Sequence, residues 1–165
     1  MSGLGEGDRE MKKKTDLLAY CGFYCGDCLG HTGVIADAAE EFMNVLERYK
    51  FDRTVKCMFP DGLRDYSHFS EMLKFLIGLR CGRICRERED TGTSCVVRKC
   101  CREHGFYACY ECGDLKVCEK LKSLNDGLHY DSCMKNFEAI KEMGLENWII
   151  RRKRFHYWDG ANDCP

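Results

Sequence analysis

The sequence predicts a mainly α domain, at most a small α+β one, in which a helical scaffold carries irregular Cys-rich knuckle segments. Helical hydrophobic periodicity recurs over residues 34–49, 67–79 and 132–143. Strand alternation extends to no more than one short hairpin. Finally, 14 of the 165 residues are cysteine, so thiols supply part of the 44% apolar fraction. The conventional core is therefore thin for this length, and some further cross-link must help to hold the fold.

The elements follow in chain order. Residues 1–14 are rich in glycine and charge and are expected as a tail, with a single domain over 15–165. Over 34–49, Val34, Ile35, Ala38, Ala39, Phe42, Met43, Leu46 and Tyr49 recur at helical spacing, with Asp37, Glu40, Glu41 and Glu47 mostly opposite. A second helix over 67–79 would turn Phe69, Met72, Leu73, Leu76 and Ile77 inward, started by an imperfect capping signal at Ser67. A third, over 132–143, is expected to be capped by Asp131 and stopped by Gly144, with Cys133, Met134, Phe137, Ile140 and Met143 inward. A last helix over 145–158 would be anchored by Trp148, Ile149, Phe155 and Trp158.

Residues 80–120 differ, holding eight of the cysteines and few aliphatic side chains, so hydrophobic burial alone cannot collapse them. One short helix is expected over 97–103. Compartment decides between disulfides and metal ligation. No secretory h-region and no apolar run near membrane-spanning length is present, which favours a cytoplasmic protein with reduced thiols and no membrane partner.

The spacing then points to metal. Cys21-x3-Cys25-x2-Cys28 and Cys109-x2-Cys112 contain two-residue gaps that aim paired thiolates at one tetrahedral ion. Cys81-x3-Cys85 and Cys95-x4-Cys100 are wider pairs, and Cys118 trails the second knuckle. These ten cysteines suffice for two four-sulfur zinc ions, with [4Fe-4S] ligation as the alternative. Spacing leaves the pairing open. One division joins Cys21, Cys25 and Cys28 to a cysteine of the 81–85 loop, and Cys100, Cys109 and Cys112 to Cys95 or Cys118. His104 offers a possible nitrogen ligand but reads better as a surface histidine, and Cys57, Cys101, Cys133 and Cys164 fall outside the framework.

Taken together, Cys21-Gly22-x2-Cys25-x2-Cys28, Cys95-Val-Val-Arg-Lys-Cys100, His104-Gly105, Cys109-x2-Cys112-x5-Cys118 and the closing Gly144-Leu-Glu-Asn-Trp148 resemble the domain of unknown function 3795. The resemblance implies a bacterial or archaeal protein of uncharacterised function that binds zinc, and it brings no enzymatic residues. The chain departs from that pattern in the three-residue gap between Cys81 and Cys85.

Charge excludes some functions. The 26 basic and 27 acidic residues leave a net charge of −1, which rules out a globally basic nucleic-acid binder. Seven basic residues against three acidic ones lie between Arg80 and Arg102. Each four-cysteine zinc site carries two negative charges, so internal compensation is favoured there over a nucleic-acid surface. The run Arg151-Arg152-Lys153-Arg154, followed by aromatics, reads as a solvated terminal helix in preference to a phosphate grip. No paired carboxylates, Gly-rich phosphate loop or barrel around the Cys21–Cys28 run is evident, so the reading leans away from an enzyme. A zinc-stabilised binding or adaptor module, its partner another protein, is the function expected. A redox or iron–sulfur enzyme and a nucleic-acid-binding zinc protein are the alternatives.

Overall fold

The computed structural model describes residues 6–89, 95–124 and 129–153. Its helices, in chain order, are α1 (Glu6–Asp16), α2 (Leu29–Thr32), α3 (Val34–Arg48), α4 (Phe51–Met58), α5 (Tyr66–Gly78), α6 (Val96–Glu103), α7 (Glu119–Lys122), α8 (Tyr130–Met143) and α9 (Leu145–Arg151). Short 3-10 turns occupy Cys25–Asp27, Cys85–Glu87, Cys109–Glu111 and Leu115–Val117. The mainly α expectation holds. Among the described residues, the β content is one antiparallel bridge between Leu18 and Tyr24. No helix there is long and apolar enough to cross a membrane.

The chain divides into two compact units, Cys28–Gly82 and the segments Met1–Asp27 with Arg83–Pro165. In the Cys28–Gly82 unit, Ala39, Met43 and Leu46 of α3 pack on Leu73 of α5, flanked by Phe51, Tyr66, Leu76 and Ile77. The buried stripe of α3 is Ala36, Ala39, Met43 and Leu46, narrower than the periodicity implies. Val34, Ile35, Phe42 and Tyr49, expected inward, are exposed, as are Phe69 and Met72 of α5. Contact with α5 covers only the ridge it meets, and the small side chains of Ala36 and Ala39 suit a close approach. Helix α4 is not among the expected elements: it spans eight residues and buries only Val55, so few apolar positions mark it in the sequence.

The other unit has the larger core. Leu18, Phe137 and Ala108 are fully buried, and Leu121, Val97, Ile140, Leu115 and Trp148 nearly so. Cys21, Cys101 and Cys109 belong to the same cluster, so cysteine here is partly conventional core. Helix α8 begins two residues before the expected start and buries Cys133, Phe137 and Ile140. Asp131 therefore sits inside its first turn and His129 precedes it. Gly144, at φ 82°, ends α8 and lets α9 fold back. Gly22, at φ 94°, brings the backbone against Phe137, where a Cβ would stand 2.9 Å from its Cζ. Helix α9 stops at Arg151, with Arg152 already extended. Phe155 and Trp158, expected as further anchors, lie outside the described residues, as does Cys164. Helix α1 begins inside the stretch expected as a tail, held by the i,i+4 pairs Glu10–Lys14 and Lys12–Asp16.

The arginines of the 80–102 stretch turn to internal partners. Arg80 pairs with Asp37 and Glu40. Arg86 stacks on Tyr107 at 3.7 Å and donates to its carbonyl at 2.9 Å. Arg98, only 6% exposed, donates to the Glu89 carbonyl. Arg102 donates to the carbonyls of Arg86 and Arg88, both at 2.9 Å.

Candidate metal centre

The turn after α6 sets up the first part of the site. Phe106 N–H donates to the Cys101 carbonyl and Gly105 N–H to the Arg102 carbonyl, with Gly105 at φ 69°. This is a Schellman closure, which needs a left-handed residue and explains His104-Gly105 in the sequence. It reverses the chain so that the knuckle at Cys109 returns alongside α6. The knuckle itself is a 3-10 turn over Cys109–Glu111, closed by Cys112 N–H to the Cys109 carbonyl at 3.0 Å. A second 3-10 turn, Leu115–Val117, delivers Cys118, which also begins α7.

These elements surround a cavity of about 480 Å³ lined by Cys100, Cys109, Cys112, Cys118 and His104, with Cys101 and Lys120 at its edge. Lys120 Nζ lies 3.3 Å from Cys100 Sγ, and this pairing holds the Lys120 ammonium above its ordinary range. His104 Nδ1 is 2.8 Å from the Cys100 carbonyl. A carbonyl can only accept, so Nδ1 carries the hydrogen in this contact. Cys101, outside the sequence framework, has its sulfur 3.5 Å from that of Cys109. That thiol contact and burial push the Cys109 thiol far up, so without a cation it stays protonated. Sequence reading passed over Cys101 because a vicinal Cys100-Cys101 pair on a helix points its two side chains to different faces.

The remaining predicted ligands lie elsewhere. Cys95 precedes α6 and does not line the cavity. Cys21 is buried against Cys133, whose thiol is pushed up by this hydrogen bond and by burial, so Cys133 stays the donor. Cys25 opens its own 3-10 turn, its N–H bonded to the Leu17 carbonyl at 2.8 Å. Burial pushes the Cys85 thiol up, opposed by donation from the Tyr20 backbone and Arg98. In the Cys28–Gly82 unit, Cys28 precedes α2, and Cys81 N–H donates to the Gly30 carbonyl at 2.7 Å. The Cys28 sulfur and the Cys81 Cβ stand 3.8 and 3.5 Å from the point a Cβ on Gly30 would occupy. Glycine at 30 leaves room between them.

Among the described residues, no three His, Cys, Asp or Glu side chains converge as closely as a bound ion requires. The fit therefore rests on the donor set. Four thiols on three segments, one of them beside a lysine, with the His104 imidazole near them, match tetrahedral sulfur-rich ligation.

Comparison with curated proteins and with solved structures finds no match for the chain. A family model does match, over residues 17–123, more than half of the chain and including every cysteine around the cavity. The chain belongs to that family, described as a protein of unknown function (DUF3795).

Proposed function

We propose that the protein is a structural zinc protein in which Cys100, Cys109, Cys112 and Cys118 hold one ion, and that it acts as a binding or adaptor module. The observation that carries the reading is that these four cysteines line one cavity. They come from α6, the Cys109 knuckle and the turn before α7. Zinc supplies Lewis-acid charge that neutralises the thiolates and cross-links the three segments. Lys120 offsets part of the residual negative charge, and His104 stands beside Cys100 as a positioning group. Such a site contributes roughly 10–16 kcal/mol in small Cys-rich peptides, against whole-domain stabilities of about 5–15 kcal/mol. That magnitude would offset the scarcity of aliphatic side chains in residues 80–120.

Metal content by mass spectrometry and zinc-edge X-ray absorption test this. The expected result is zinc with four sulfur neighbours at about 2.3 Å. Cys112→Ser and Cys118→Ser should each lose one equivalent and melt at lower temperature, while Cys95→Ser keeps its metal. Full zinc retention in Cys112→Ser would overturn the assignment. So would iron with absorbance near ~400 nm, which marks cluster ligation.

A further inference from the structure

We propose that a cationic pocket between α8 and α9 binds a phosphate ester, a function separate from the metal centre. The cavity, about 300 Å³, is floored by Ala139, Met143 and the buried Trp148 and ringed by Lys135, Arg151, Arg152 and Lys153. Ser132 and Asn136 add polar atoms to its wall. Among the described residues no carboxylate lines it.

Three features distinguish this pocket from an ordinary solvated face. First, the face of α8 that lines the cavity, Ser132, Lys135, Asn136, Ala139 and Met143, carries no carboxylate, Asp131 and Glu138 lying on the flank beside Lys135. Second, Asp27 neutralises Arg152 through a bidentate pair. Lys135, Arg151 and Lys153 have no ion-pair partner among the described residues. Third, Arg152 Nε is buried with no hydrogen-bond partner. A buried unpaired donor is costly, and an anion's oxygen would satisfy it. Cations at a helix C-terminus also complement the helix dipole, which covers Arg151 but not Lys135 on the neighbouring helix.

A concave wall that carries Lys135, Arg151 and Lys153 over an apolar floor concentrates anions more strongly than a convex surface does. Phosphate oxygens suit the Arg and Lys donors, and the apolar floor accepts the body of the ester. At about 300 Å³ the cavity sits at the small end of ligand pockets. That volume fits a nucleoside monophosphate or a single phosphorylated terminus of a nucleic acid.

Calorimetric titration of the full-length protein with AMP, inorganic phosphate and a 5′-phosphorylated mixed oligonucleotide tests the proposal. AMP should bind more tightly than phosphate. Lys135→Glu and Arg151→Glu should each weaken binding roughly ten- to a hundredfold, with unchanged melting temperature. The exposed Lys141→Glu, on α8 outside the cavity, should change it little. Binding of the oligonucleotide alone, with the same variant pattern, would support the site and assign the phosphate to a nucleic acid. No binding of any probe, or equal loss in Lys141→Glu, would overturn it. Zinc content measured in the same samples separates this result from the metal assignment.

Discussion

Replacing Asp27 by asparagine should destabilise the protein as severely as a deep core truncation. Arg152, 125 residues away in sequence, donates from Nη1 to Oδ1 at 3.0 Å and from Nη2 to Oδ2. Its side chain is 11% exposed and that of Asp27 5%. The guanidinium carbon lies 4.2 Å from the Tyr24 ring and 4.9 Å from that of Trp148, so aromatic walls replace water around the pair. Loss of the carboxylate strands a cation in that surround, at a cost of about 3–5 kcal/mol. An exposed pair such as Glu10–Lys14, screened by solvent, contributes far less. For a protein of this size the expected fall in melting temperature is roughly 6–20 °C. Urea unfolding at fixed metal content, followed by circular dichroism, measures it for Asp27→Asn, Arg152→Met and the double variant. The double variant should cost about 2–3 kcal/mol less than the sum of the singles. A loss under about 1 kcal/mol in Asp27→Asn, or a cycle additive within ~0.5 kcal/mol, would refute the reasoning.

Two further outcomes are expected. Gly22→Ala should cost about 2–4 kcal/mol, since it places a Cβ at φ 94° and 2.9 Å from Phe137 Cζ. Gly78→Ala, in helical backbone with nothing within 4 Å, should instead raise stability by up to ~1 kcal/mol, and the same unfolding curves compare the two. Burial holds His129 below the usual histidine range, so the folded state keeps it neutral while the unfolded chain protonates first. Its contribution is therefore complete above about pH 6.5 and is lost as pH falls through the folded value. Melting temperature against pH should slope less in His129→Gln than in the parent, and parallel slopes would remove His129 from that account.

Several features were legible without a fold. The spans of α3, α5, α6 and α8 follow from periodicity, because a long amphipathic pattern survives whatever it packs against. The cysteine knuckles at Cys25 and Cys109 follow from two-residue gaps, a local turn property. The packing of α3 was not legible, and it decides that Phe42 and Val34 are exposed despite helical spacing. Cys101 was also passed over, since only tertiary packing places its sulfur against Cys109.

The sequence by itself determined that the protein is helical and that residues 80–120 hold eight cysteines and few aliphatic side chains. These are matters of local period and composition. Tertiary structure alone decided how the cysteines divide. It gathered Cys100, Cys109, Cys112 and Cys118 around one cavity, buried Cys21 against Cys133, and left Cys95 outside. It also drew Arg152 out of the basic run and onto Asp27, leaving its neighbours to line a pocket. Spacing along a chain says which side chains can meet. Only the packed core fixes which ones share a low-dielectric space, and there pairing and protonation are set.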